Sequence, residues 1–187
     1  MKIYCLHDTV DIFSIYLKAD NTLNLKRLPF FLPNFATDFR ARMCAVVRID
    51  NVGKSIQHQF AHKYYSHIGG AIEIIAADSL ADAQNQRHPW SLSVNFDNSL
   101  AFTSLLSTDS LDTINAMRFT LNGSNIPNNG FATDIVDMAI EVISKAETIK
   151  TGDFIVIPLG DVTDTLKIGD LLCISDSFKE LLRIPIR

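Results

Sequence analysis

Glutamate is scarce in this chain. Of the 21 acidic residues in 187, four are glutamate (Glu73, Glu141, Glu147 and Glu180), and none precedes residue 73. Chemistry that rests on a glutamate pair in the first third of the chain therefore has no side chains to run on. Cysteine is limited to Cys5, Cys44 and Cys173, odd in number, far apart, and each within an apolar run. No Cys-x-x-Cys or Cys/His spacing supports zinc, so buried thiols in a reducing cytosol are expected. No apolar run approaches the length of a membrane span. The opening Met1–Leu6 meets His7 and Asp8 too soon for the apolar part of a signal peptide, so a cytoplasmic location is expected, with no membrane partner. The 17 Lys and Arg are scattered and the net charge is −4. Nucleic acid needs concentrated positive charge and is excluded as a partner.

What is present is apolar. A hydrophobic content of 47% argues for a packed globule. The length suits one domain over residues 1–187. Residues 1–6 read as a strand, and Asp11 to Leu17 as a short helix. Pro29 to Phe35 is aromatic with proline near both ends, which forbids a helix interior or a central strand. A packed loop or edge strand is expected there, with an exposed aromatic groove as the alternative. Thr37 to Ile49 reads as the first core strand. A helix is expected from Ser55 to Ile68, with Ile56, Phe60 and Tyr64 as its buried stripe and Gly69-Gly70 breaking it. Ala71 to Ala76 reads as a second strand. Asp78 to Gln86 reads as a short helix capped by Asp78 or Ser79. Phe102 to Leu106 is apolar but short. Ala116 to Leu121 alternates, and Asn122-Gly123 is a strong hairpin turn. Thr133 is expected to cap the longest helix, running to about Ile149, with Ile135, Ala139, Val142, Ile143 and Ala146 as its apolar face. Strands are expected at Phe154 to Ile157, Leu171 to Ile174 and Leu181 to Ile184. The fold class is α+β, rich in strands.

Few residues offer chemistry. Arg40, Arg42 and Cys44 alternate and so share one strand face. The two arginines read either as an anion clamp or as solvent-facing charge where the strand leaves the core. His58 and His62 stand four apart on the expected helix, with His67 nearby, a spacing that can hold a metal. No Glu follows His58 as a zinc protease requires, and solvated histidine is the plainer reading.

Taken in order, these pieces resemble the fumarylacetoacetate hydrolase family in its short bacterial form. The resemblance rests on Pro29 to Asp38, Val46-Val47-Arg48-Ile49, and Gly53-Lys54 with Phe60-Ala61-His62-Lys63-Tyr64-Tyr65. Pro89-Trp90 with Phe96-Asp97 and Leu166-Lys167-Ile168-Gly169-Asp170 complete it. It implies a mixed β-sheet fold with a β-grasp-like part, two or three helices, and assembly as a homodimer. It also implies Mg²⁺ or Mn²⁺ held by a Glu-x-Glu pair and a third carboxylate, cleaving, decarboxylating or isomerising small 2-oxo or β-diketo acids.

Carried over position by position, the resemblance puts the Glu-x-Glu pair on Arg42 and Cys44 and the third carboxylate on Glu73. The family's Arg falls on Ala77 and its Lys on Val94, just before Asp97. Its Thr-Gly-Thr-Pro turn falls near Ile157-Pro158-Leu159-Gly160. Its Gly-Arg-Asn-Tyr motif falls on His7-Asp8-Thr9-Val10, with the following His on Phe13. A substrate loop is deleted before Pro29. These departures lead to the expectation of a pseudoenzyme that needs no cofactor and acts by self-association or by joining an active paralogue. An ion pair between Arg42 and Glu73 is expected where the metal would sit. Two alternatives stand: a metal-dependent hydrolase or decarboxylase with a rebuilt site, and a metal-free binder of small anionic metabolites using Arg40, Arg42 and the histidines, with Glu73 a further ligand-binding candidate.

Overall fold

Two long apolar runs, Phe39–Ile49 and Tyr65–Ala76, pair antiparallel from Phe39 opposite Ala76 to Arg48 opposite His67, and the other elements are arranged around that pair. The structure, a computed structural model, describes residues 1–9 and 14–187. Along the chain the strands and helices are β1 (Ile3–Leu6), β2 (Ile15–Lys18), β3 (Phe39–Ile49), α1 (His58–Ala61), β4 (Tyr65–Ala76), α2 (Ala77–Asn85), β5 (Leu100–Phe102) and β6 (Leu106–Ser107). They continue with α3 (Leu111–Asn115), β7 (Arg118–Leu121), β8 (Ser124–Ile126), α4 (Thr133–Ala146), β9 (Phe154–Pro158), β10 (Leu171–Ser175) and β11 (Glu180–Pro185).

The larger sheet runs β2-β1-β9-β3-β4-β5, with β6 also on β4. Only β1 and β9 are parallel in it, so the sheet is mixed. A smaller antiparallel sheet runs β11-β10-β7-β8. Asn122 and Gly123, both at positive φ, close the β7–β8 hairpin as the dipeptide predicts.

The larger sheet is buried on both faces, which is why β3 reads as an apolar run and not as an alternation. Ala41, Met43, Ala45, Val47 and Ile49 point into a core shared with Phe119 of β7, Leu172 and Ile174 of β10, and Val136, Ala139, Ile140 and Ile143 of α4. Cys44 and Val46 point the other way, with Cys5 and Ile3 of β1, Val156 of β9, Leu80 of α2, and Val94. Each fully buried Ile, Leu or Phe contributes roughly 1.5–3 kcal/mol over its exposed state.

Several sequence expectations give way here. The helix expected from Ser55 to Ile68 shrinks to the single turn of α1 and a 3₁₀ turn at His62–Tyr64, and β4 begins at Tyr65. The four-residue spacing misled because Phe60 is 45% exposed, while Tyr65 and Ile68 are buried as strand residues. Gly69 and Gly70 do not break a helix. They lie within β4, paired with Val46 and Ala45, at places where a Cβ on Gly69 would meet Thr103 Oγ1 at 3.0 Å and one on Gly70 would meet Met117 Sδ at 2.9 Å. Ile15–Lys18, the described part of the helix expected from Asp11, is strand β2. Residues 10–13, with the positions carried over to Val10 and Phe13, lie outside the described residues. Helix α2 starts at Ala77 without a side-chain cap. Asp78 instead accepts from Thr37 N and Oγ1 and from Asp38 N, tying the entry of β3 to α2. Helix α4 ends at Ala146, and its buried face is Val136, Ala139, Ile140, Ile143 and Ser144, leaving Ala146 exposed. Pro29 to Phe35 combines the two expectations: Phe30 is packed, bridging Ile186 and lying edge-on to Phe39, while Phe31 and Phe35 are exposed and line an aromatic groove. Cys173 is half-buried, less enclosed than Cys5 and Cys44, and burial followed by the bond to Glu180 pushes its thiol up to about 11.

Candidate functional site

Antiparallel register sets Arg42 directly opposite Glu73, and alternation turns both toward the second core. Glu73 has no exposed side-chain surface. Its Oε2 accepts from Arg42 Nε at 2.9 Å and lies 2.9 Å from Arg42 Nη2. Its Oε1 accepts from the Tyr16 hydroxyl and stands 3.2 Å from the ammonium of Lys18, also fully buried. Cys44 Sγ lies 4.0 Å from Oε2. Lys18 further donates to Ser99 Oγ at 3.0 Å and to the Val94 carbonyl. Arg42 spans to the end of β1, donating to the carbonyls of His7 at 2.8 Å and Leu6 at 3.3 Å, and to the Tyr16 hydroxyl at 3.1 Å. Trp90 closes one side with its ring edge-on to Tyr16.

The electrostatics follow from burial and pairing. Burial pushes the Glu73 carboxyl up, but Arg42, Lys18 and the bond from Tyr16 outweigh it and hold the group below the ordinary carboxylate range. Burial, then the charge of Glu73, pushes Tyr16 well up, so its phenol stays a donor. The same two causes push the Cys44 thiol up to about 12, leaving it neutral and a poor nucleophile. One carboxylate faces two cations, and a single positive charge is left over.

Arg42 is the member of this cluster that reaches solvent, with 11% of its side chain exposed. It forms part of the floor of a cleft of about 570 Å³ whose walls include His7, Asp8, Asn115, Asn129, Phe131, Leu159 and Asp161. A Cβ on Gly160 would lie 2.7 Å from the Pro127 carbonyl, so glycine lets the cleft wall approach that loop.

The structure thus gathers Arg42, Cys44, Glu73 and the Val94 carbonyl, and brings His7 to Thr9 and Ile157 to Gly160 to the cleft above them. Others lie elsewhere. Arg40 forks onto Asp38 at 2.8–3.0 Å, so the two arginines do not form a clamp. Ala77 opens α2, its N–H donating to the Asp38 carbonyl. Asp97 accepts from Asn21 and borders an aromatic groove with Phe30, Phe31 and Phe35. His58 pairs with Asp134 at 3.0 Å. Neither His58 nor His62 belongs to a metal-holding group of three among the described residues. Sequence reasoning missed Tyr16 and Lys18. The signal was the alternation Ile15-Tyr16-Leu17-Lys18, which puts a Tyr and a Lys on one strand face.

No family model matches the chain, and no curated protein matches it in sequence. Solved structures do. A protein assigned to the fumarylacetoacetate hydrolase family from Yersinia pestis CO92 superposes with a TM-score of 0.85 at 18% identity, covering 100% of this chain and 92% of that one. This chain has the fumarylacetoacetate hydrolase fold. Fumarylpyruvate hydrolase from Pseudomonas aeruginosa, solved with Mn²⁺ and pyruvate, has the same fold with a TM-score of 0.81 at 14% identity, covering 100% of this chain and 89% of that one. So does 5-carboxymethyl-2-hydroxymuconate delta-isomerase from Mycobacterium smegmatis, with a TM-score of 0.75 at 17% identity, covering 99% of this chain and 78% of that one. Within this fold, Glu73 stands on β4 and meets Arg42 of β3 and Tyr16 and Lys18 of the edge strand β2. No helix among the described residues is long and apolar enough to cross a membrane.

Proposed function

We propose that this chain keeps the fumarylacetoacetate hydrolase fold without its metal-dependent catalysis and acts by association, with a second copy of itself or with an active paralogue. The observation that carries the reading is the bonding of Glu73, whose two carboxylate oxygens are taken by Arg42, Lys18 and Tyr16. Mg²⁺ and Mn²⁺ want several carboxylate or carbonyl oxygens. The three positions that the resemblance assigns to ligands present a guanidinium, a neutral thiol and this one committed carboxylate. Two unit charges ~4 Å apart at an effective dielectric of ~20 interact by about 4 kcal/mol, so a dication beside Arg42 meets about twice that repulsion. The donor set does not fit the ion.

Titration calorimetry with Mg²⁺ and Mn²⁺ is expected to give no heat of specific binding. A micromolar isotherm that disappears in Glu73→Gln would overturn the reading and favour a rebuilt enzyme for 2-oxo or β-diketo acids. Ile168, 75% exposed, and Phe178, 95% exposed, are single apolar side chains left in solvent before and after β10, and are the first positions to probe for a contact. Light scattering after gel filtration is expected to give twice the chain mass, or a mixed species when the paralogue is added. A monomer that ignores the paralogue would remove the association half of the proposal.

A further inference from the structure

We infer that the cleft above Arg42 binds a small zwitterion, an α-amino acid or short peptide, with its carboxylate on the Arg42 guanidinium and its ammonium at Asp161. The inference rests on the reading that no metal sits at Glu73, and it adds the ligand class to that site.

The buried cluster holds two cations for one carboxylate, and a desolvated charge without a full counter-charge is costly. Lys18 and Glu73 have no exposed side-chain surface, so an anion can relieve the surplus only at Arg42. A guanidinium carries five N–H donors. The Nε donor goes to Glu73, the Nη2 donors are shared among Glu73, Tyr16 and Leu6, and Nη1 has the His7 carbonyl as its acceptor among the described residues. One Nη1 N–H is left for a ligand, on the residue that lines the cleft. Planar carboxylates match this donor group well.

The same cleft wall includes Gly130, Phe131 and Ala132, which lead into the 14-residue helix α4. The rim has the opposite sign to Arg42. Asp161 is exposed, lines the cleft, and is in no ion pair among the described residues. Asp8 lines it too and stands 3.6 Å from His7 Nδ1. Cationic floor and anionic rim fit a molecule with one charge of each sign. A dianionic acid would set its second carboxylate against Asp161. Ile135, Ile157 and Leu159 supply apolar wall for a side chain, and about 570 Å³ accommodates an amino acid or dipeptide.

Calorimetry on the full chain in EDTA, with glycylglycine, L-alanine, acetate and succinate as probes, tests the inference. The zwitterions are expected to bind at least about tenfold more tightly than succinate. Asp161→Asn, an exposed change with no hydrogen bond or ion pair to lose among the described residues, is expected to weaken glycylglycine about tenfold and to admit succinate. Arg42→Met, with folding checked by circular dichroism, is expected to abolish both. No zwitterion binding in EDTA or with added Mn²⁺ overturns the inference while leaving the metal-free reading intact. Zwitterion binding that appears only with Mn²⁺ overturns both. Equal binding of acetate and glycylglycine, tighter binding of succinate by the wild-type chain, or an unchanged Asp161→Asn variant overturns the role of Asp161 and with it the zwitterion.

Discussion

Glu73→Ala is expected to lower the free energy of unfolding by about 3–5 kcal/mol, because it leaves two buried cations with no counter-charge. The ordering within the cluster is the sharper test. Lys18→Met leaves the Arg42–Glu73 pair, and Arg42→Met leaves the Lys18–Glu73 pair, each with one charge of each sign. Either change still strands polar partners: the Val94 carbonyl and Ser99 for Lys18, the Leu6 and His7 carbonyls for Arg42. Each is therefore expected to cost about 1–3 kcal/mol. Urea denaturation at pH 7 measures all three. Arg42→Glu, which sets a second carboxylate beside Glu73, is expected to weaken the fold as well. If Glu73→Ala proved the mildest of the set, or Arg42→Glu left stability unchanged, the cluster would not be held by its single carboxylate.

How far the sequence reveals this site depends on which residues make it. The pairing of Arg42 with Glu73 is legible, because two strands with a fixed alternation put both side chains on one face once they are taken as antiparallel neighbours. The strands themselves are legible from composition: Val46, Val47, Ile72, Ile74 and Ile75 belong to a sheet covered on both sides. Lys18 is not legible in the same way. Its strand has four residues, borders residues outside the described set, and reads equally as a helix end when taken alone. Only the β1–β2 pairing, with Cys5 opposite Tyr16, brings Tyr16 and Lys18 to the carboxylate. The false helix from Ser55 to Ile68 has a different cause. A four-residue apolar period extends by chance into a strand whose Gly69 and Gly70 answer to Thr103 and Met117, partners remote in sequence. The cleft is tertiary throughout, joining the end of β1, the approach to α4 and the loop after β9.

Acid is expected to undo this fold below the ordinary carboxylate range, and Glu73 is expected to account for a measurable share of the loss. Several carboxyls are held below their usual values. For Asp38 the Arg40 bond is the leading cause; for Asp50 and Asp78 bonds from Ser66, Arg48 and His67, and from Thr37, Ser79 and Asp38, overcome burial. Glu73 is the most enclosed of them, with Arg42 and Lys18 overcoming its burial. A carboxyl whose folded value lies below its unfolded value, about 4, contributes stability in full above that point and loses it as the pH falls through the folded value. Asp137 works in the opposite sense: burial raises it despite the bond from Tyr65, so its contribution is present in acid and lost as the pH rises through its folded value. The lowered groups outnumber it, so stability is expected to hold near neutrality and to drop below about pH 4. Urea midpoints taken from neutral pH down to about pH 3 for wild type and Glu73→Gln separate the buried group from the rest. The variant is expected to start lower and to fall less steeply in acid, since it has no proton to gain at residue 73. Parallel curves for the two proteins would show that the Glu73 carboxyl titrates alike in the folded and unfolded chain, and a wild-type curve that gains on the variant in acid would show that it is protonated in the folded state; either result would sink the ion cluster around Glu73.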